Sequence, residues 1–241
     1  MDIPTEMQHQ AMGYDRAATM FSPDGHLLQV EYAEKTVKLG SASIGLVSKD
    51  GIVIISDRRI RDKLITPESA NKIFEVDEHI VATAAGILSD IRVLVDHAQV
   101  LAQQNRVTFG SPIEPISIIR AIADRKQMFT QYGGARPYAV AFLLGGVVRG
   151  ESHVYSSDVT GNFYGYKANA IGENDEKIKE ILRKDYKEDM SIDDGIKFSL
   201  KIFKDILEKN FDIGRFDVGY VSLKDAKIVR LHGDELKKYI K

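Results

Sequence analysis

GYDRAATMFSPDGHLLQVEYAEKTVKLG, residues 13–40, holds a turn and then a helix ahead of everything that reads as sheet. Ser22-Pro23-Asp24-Gly25 is a turn by composition, because Pro fixes φ at the first corner and Gly accepts a backbone shape that other residues resist. From Leu27 the apolar residues fall at Leu27, Leu28, Val30, Tyr32, Ala33 and Val37, with Gln29, Glu34, Lys35 and Lys38 on the remaining arc. That spacing predicts an amphipathic helix, and Gly40 is placed to stop it in the usual C-terminal manner. A helix in front of a self-sufficient sheet domain is an added element, which must bury its apolar side on its own domain or on a neighbour. The polar segment before it, residues 1–12, has nothing to pack and is expected to be mobile.

Working outward, residues 43–47 and 51–56 are β-branched-rich runs whose linking Asp50-Gly51 is a strong hairpin signal. Residues 72–76 and 80–84 form a second pair around Asp77-Glu78. Helical spacing follows twice: through Ile87, Ile91, Leu94, Val95, Ala98, Leu101 and Ala102, and through Ile116, Ile119, Ile122 and Phe129, with Pro112 and Pro115 at the break. Residues 138–144, 152–156 and 164–168 return to strand, 173–185 and 192–210 to helix, 218–223 and 227–231 to strand, and a short charged helix begins at Asp234. Strands, paired helices, strands, paired helices, strands is the order of an α+β fold whose helices lie on the faces of antiparallel sheets. Nothing rich in Pro, Gly or Ser divides the chain, so one domain is expected.

Composition excludes several functions. At 241 residues and 44% hydrophobic, the chain can bury a substantial core. A formal charge of -2, with acids and bases mixed, provides no basic stripe for nucleic acid and no polybasic patch for a membrane. Without cysteine there are no disulfides or thiolate metal sites. The first residues carry no secretory signal and no later run reaches membrane-spanning length, so a cytoplasmic protein is expected. No phosphate loop is present, since Gly161, Gly165 and Lys167 lack its spacing, and the six histidines are scattered. His97 and His153 read as ordinary surface or core-boundary residues, and neither metal nor cofactor is expected.

Tyr14-Asp15-Arg16, Phe21-Ser22-Pro23-Asp24-Gly25 and Gln29-Val30-Glu31-Tyr32-Ala33 together resemble the N-terminal signature of α-type subunits of the 20S proteasome, most like the archaeal ones. The resemblance continues through Asp57-Arg58-Arg59, Asn71-Lys72-Ile73-Phe74, Arg92-Val93-Leu94-Val95-Asp96, Tyr132-Gly133-Gly134-Ala135-Arg136-Pro137, Tyr166-Lys167-Ala168 and Ala170-Ile171-Gly172, covering nearly the whole chain. It implies the four-layer αββα sandwich of the N-terminal-nucleophile hydrolases over residues 41–241, with residues 1–40 supplying a gate tail, turn and extra N-terminal helix of the same domain. The chain departs from the family at Gly172-Glu173-Asn174-Asp175, more often a small Gly/Ser run, and at Ala84-Ala85-Gly86-Ile87, more usually Thr-Ser-Gly-Leu.

The family's catalytic β subunits free a threonine at the start of the first strand by self-cleavage, and its amino group then activates the hydroxyl. Here Ser41 stands at that position, with Asp57 where those subunits keep an acid and Lys72 near their lysine. Cleavage after Gly40 would discard the whole α-type signature, so the site reads as unprocessed, with no catalytic residue. Asp57 then reads as a strand-end carboxylate paired with Arg58, Arg59 or a backbone amide. A self-processed N-terminal-serine hydrolase is the alternative, and an unrelated α+β binding domain a third.

For an α-type chain the resemblance implies a homo- or hetero-heptameric α ring stacked on the proteolytic β rings and admitting unfolded protein substrates. Tyr14, Asp15, Arg16, Pro23 and Tyr32 would hold the gate. A weakly apolar tail can plug a pore without packing in it, and a Pro-centred turn can shift as a small rigid unit. The C-terminal tails of an ATP-dependent activator, the proteasome-activating ATPase, would enter pockets between adjacent subunits. Lys72 would receive the terminal carboxylate there, with Gly40, Gly86 and Ile87 as walls. Taken alone, Lys72 reads as an exposed lysine at a strand start. Tyr132, Gly133 and Gly134 would line the entrance annulus, the glycines permitting a sharp reversal and the tyrosine supplying bulk.

Overall fold

The computed structural model describes residues 11–60, 62 and 64–240, so most of the tail expected to be mobile lies outside the described residues. Helix α1 spans Leu28–Leu39 and is followed by strands β1 (Ser43–Ser48), β2 (Gly51–Asp57), β3 (Phe74–Asp77) and β4 (Ile80–Gly86). Helices α2 (Leu88–Phe109) and α3 (Pro115–Gln131) lead to β5 (Val140–Val148), β6 (Glu151–Ser157), β7 (Phe163–Gly165) and β8 (Ala168–Ile171). Then come α4 (Asp175–Asp185), α5 (Ile192–Leu207), β9 (Phe216–Ser222) and β10 (Ile228–His232). No helix among the described residues is long and apolar enough to cross a membrane.

The strands form two five-stranded antiparallel sheets, ordered β10-β9-β2-β1-β8 and β3-β4-β5-β6-β7. Strand period 2 decides what each face meets. In β2, Val53 and Ile55 point to α4 and α5, joining Ile178, Leu182, Ile196 and Leu200, while Ile52 and Ile54 point to the other sheet and meet Val81, Ala141 and Leu143. On the far side, Ala82, Ala84, Phe142 and Leu144 are covered by Ile91, Leu94, Ile119 and Ile122 of α2 and α3. The result is the αββα sandwich. A buried trio pins its middle layer, with Thr83 Oγ1 2.8 Å from Ser56 Oγ and 3.1 Å from Ser43 Oγ across the sheets.

Helix α1 closes one end of the layer between the sheets. Its Val30, Ala33 and Val37 are buried with Ile52, Ile54, Val81 and Ala85, so the added element packs on its own domain. Burying an aliphatic side chain the size of valine contributes about 1.5–3 kcal/mol.

Several expected boundaries move. The strand read at 164–168 is two: β7 pairs with β6 in one sheet and β8 with β1 in the other, so the chain changes sheets at Tyr166-Lys167. The strand read from Lys72 begins at Phe74, because the Lys72 N–H points to the Asp217 carboxylate at 3.4 Å instead of a ladder partner. The helix read to Asn210 ends at Leu207, where Glu208 adopts φ 47° and a 3-10 turn follows. The final helix is a 3-10 segment, Gly233–Tyr239.

Candidate functional site

The C-terminal end of α1 meets the end of β4 backbone to backbone. Gly40 is extended, at φ -69° and ψ 147°, so it does not end α1 by the left-handed cap expected from its position. Its smallness serves a close approach: a Cβ there would stand 2.6 Å from the Gly86 nitrogen. Gly86 itself has φ 127°, and its Cβ would lie 1.9 Å from the Ala139 carbonyl oxygen. Beside this junction opens a cleft of about 750 Å³, bounded by Leu39 to Ser41, Arg58 and Arg59, Asn71 and Lys72, and the first turns of α2. Leu88, Ile91 and Val95 make its wall on α2.

Lys72 sits at the floor, buried rather than exposed as its position suggests. Its Nζ donates to the Ser41 carbonyl at 2.7 Å and lies 2.8 Å from Ser41 Oγ. Burial is the largest influence on this ammonium and pushes its pKa down to about 7; Asp57 and Asp217 oppose that, and Arg59 adds to it. Gly40 and Gly86 line the cleft with Lys72. Ile87 stands elsewhere: it precedes α2 and packs into the layer between the sheets, and its neighbour Leu88 faces the cleft instead.

Around Lys72 the acids are engaged. Asp57 accepts the Arg59 N–H at 2.9 Å and is held in a fork by Arg215, with contacts of 2.5 and 3.1 Å. A backbone amide was one of the alternatives open for Asp57, and the Arg215 guanidinium comes from far along the chain. Asp217 pairs with Arg58 Nε at 3.1 Å and His232 Nδ1 at 2.7 Å. Arg59, at φ 46°, forms an ion pair with Glu173, so the turn ahead of α4 supplies a partner for an arginine of the cleft.

The residues assigned to the gate gather at the other end of α1. Tyr14–Arg16 form one 3-10 turn. Gln29 of α1 donates its amide to the Asp15 carbonyl at 2.5 Å. Pro23 lies in a turn closed by Gly25 N–H to Ser22 C=O at 2.9 Å and braced by His26 N–H to Ser22 Oγ at 3.1 Å. Tyr32 is half-buried on α1 with the Lys35 ammonium 5.5 Å from its ring centre. A helix of this length, about 18 Å at 1.5 Å per residue, therefore joins the N-terminal turns to the cleft.

At the end of α3, Tyr132, Gly133 and Gly134 are exposed, and the turn closes by Ala135 N–H to Tyr132 C=O at 3.4 Å. Its root is a contact that the sequence reading missed. Arg136 grips Asp90 of α2 in a fork of 2.6 and 2.7 Å, and Asp90 also accepts the Ala139 N–H at 3.2 Å.

Comparison with known proteins shows the family of the chain. Residues 14–35 match the family described as the N-terminal signature of proteasome A-type subunits, and residues 37–221 the general proteasome-subunit family. The chain belongs to the proteasome α-subunit family. Relatives named as proteasome alpha subunits include that of Methanosarcina acetivorans, 44% identical over 95% of this chain and 93% of the relative. Those of Archaeoglobus fulgidus and Pyrococcus abyssi are each 41% identical over 95% of this chain, covering 93% and 87% of their own lengths. In this proteasome α subunit the α-specific signature of residues 14–35 spans the N-terminal turns and most of α1, the helix packed against the layer between the sheets.

Proposed function

We propose that this proteasome α subunit is a non-catalytic member of the α ring of a proteasome core particle, cytoplasmic, stacked on β subunits and acting as gate and docking platform for protein degradation. One observation carries the reading. Helix α1, which self-cleavage after Gly40 would remove, is built into the layer between the sheets through Val30, Ala33 and Val37. Loss of that helix would expose the apolar end of the sandwich, so Ser41 belongs inside a chain and not at its start. Native mass spectrometry of the full-length chain, followed by its denatured mass, tests this: rings of uncleaved chains are expected, and a product starting at Ser41 would overturn it.

Docking is assigned to the Lys72 cleft. Its apolar walls and cationic floor suit a peptide that ends in a carboxylate, and a charge-assisted hydrogen bond there contributes about 1.5–3 kcal/mol. Activator C-terminal tails, from an ATP-dependent activator, are the ligands of this reading. Lys72→Ala is expected to abolish stimulation of peptide hydrolysis by such tails while leaving ring assembly intact, read by assays of the assembled core particle. Retained stimulation would refute the assignment.

Gating follows from α1. A tail seated against Leu39 and Gly40 bears on one end of the helix, and Gln29 ties the other end to Asp15. Asp15 and Tyr32 are assigned to polar contacts between neighbouring copies in the open arrangement, with Tyr14, Arg16 and Pro23 shaping the turn. Tyr132, Gly133 and Gly134 are assigned to the annulus that admits unfolded chains. Tyr32→Phe is expected to lower activator-stimulated hydrolysis of a peptide several-fold with assembly unchanged; equal rates would deny the hydroxyl this role.

A further inference from the structure

We propose that Ser41 is the second hydrogen-bond donor of the carboxylate site, and that the cleft takes up a proton with the carboxylate, the proton residing on Lys72. The inference rests on the docking reading above and concerns how that site recognises its ligand.

Valence is the starting point. An ammonium has three N–H donors and no acceptor. Lys72 directs two at Ser41, one to the carbonyl at 2.7 Å and one to Oγ at 2.8 Å, and no third partner occurs among the described residues. Both side chains line the cleft, so the third donor has the cleft ahead of it. Ser41 Oγ, while it accepts from the ammonium, retains its own hydrogen, for which the described residues offer no acceptor. Two donors are thus left unspent side by side in the cleft, a set that can grip the two oxygens of a carboxylate.

Removing the proton undoes this. A neutral amine carries a lone pair, the Ser41 hydroxyl turns to donate to it, and the cleft loses a positive charge and a donor together. The surroundings leave the two states close in energy. Burial disfavours the ammonium and Arg59 opposes it further, while Asp57 and Asp217 support it. The support is diluted, since Asp57 is held by Arg215, and Asp217 by Arg58 and His232. Glu173 is paired with Arg59, and on α2 Arg92 faces Asp96 at 3.5 Å. With the lysine near 7, the cleft without its ligand holds a mixture of both forms at neutral pH. A bound carboxylate shifts that mixture to the ammonium, and the sign follows: affinity falls as pH rises above 7.

The test is isothermal titration calorimetry on the assembled full-length chain. The probe is an N-acetylated Gly-Ala-Leu-Phe-Ala peptide with a free C-terminal carboxylate, compared with the same peptide amidated, in two buffers of different ionisation enthalpy. The carboxylate peptide should bind about twenty-fold more weakly at pH 8.5 than at pH 6.5, with close to one proton taken up per peptide at the higher pH. Ser41→Ala should weaken it about tenfold at pH 6.5 and leave the amidated peptide unchanged. Lys72→Arg, permanently charged, should flatten the pH profile. A flat profile and no buffer-dependent heat in the unmodified chain would overturn the inference with docking intact, as would a profile that survives Lys72→Arg. Equal binding of the two peptides, or binding of neither, would overturn the docking reading and this inference with it.

Discussion

Gly86→Ala is expected to cost the folded chain more than about 3 kcal/mol, or to leave it insoluble. Two penalties coincide at this residue. At φ 127° an L side chain is strained whatever the space around it, and the new methyl would lie 1.9 Å from the Ala139 oxygen, a backbone atom that cannot turn aside. Relief requires β4 and β5 to separate where Gly86 faces Val140, and that movement pulls apart the Gly40 junction and the cleft. Gly150→Ala is the control, because Gly150 also has positive φ, 78°, but open space where a Cβ would stand. Thermal or urea unfolding of both variants should give a loss of about 1 kcal/mol for the control and several times that for Gly86. Equal losses would mean that the steric argument is wrong.

Lys126→Met is expected to stabilise the chain at pH 7, because holding a buried amine far below its usual pKa, at roughly 1.4 kcal/mol per unit, costs more than the roughly 1–3 kcal/mol of leaving its Ser157 partner unpaired. Lys126 lies in α3 with no exposed surface, and among the described residues its Nζ reaches only Ser157, at 3.0 Å to Oγ and 3.1 Å to the carbonyl. Burial is the dominant cause that brings its pKa down to about 7, with Asp158 in partial opposition. In the unfolded chain the same lysine stays protonated to about 10.5. Between these values the unfolded state holds a proton that the folded state lacks, so folding becomes more favourable as pH rises through that window, by up to roughly 1.4 kcal/mol per unit for this residue. Below pH 7 both states are protonated and the contribution is flat. The gain from methionine should therefore shrink between pH 7 and 9.5, and unfolding curves of the two proteins should converge. A constant difference across that range would mean that the lysine is charged throughout.

How far the sequence disclosed all this depends on how local each cause was. The β1–β2 hairpin was legible because Asp50-Gly51 fixes a turn within a few residues. The split between β7 and β8 was not, because alternation records which residues share a face and says nothing about which sheet pairs with them. The family resemblance singled out Lys72, but its burial was not legible, since the carboxylate that takes its backbone N–H is Asp217, far along the chain. The same distance hid the fork from Arg215 to Asp57 and the pair of Arg58 with Asp217. Lys126 did leave a signal that the reading passed over. It falls four residues after Ile122 and three after Ala123, on the buried stripe of α3.

The placement of β9 has a consequence for synthesis of the chain. β2 pairs with β1 on one side and on the other with β9, from Gly51 opposite Ser222 to Asp57 opposite Phe216. The hairpin made first therefore waits with an open edge until β9 has left the ribosome, and a strand made late enters beside one of the oldest. Such long-range pairing makes folding slow and leaves an unpaired strand available to other nascent chains. Chains truncated before residue 216 should collect in aggregates or on chaperones, since the sheet beneath the cleft is completed only when that late segment arrives.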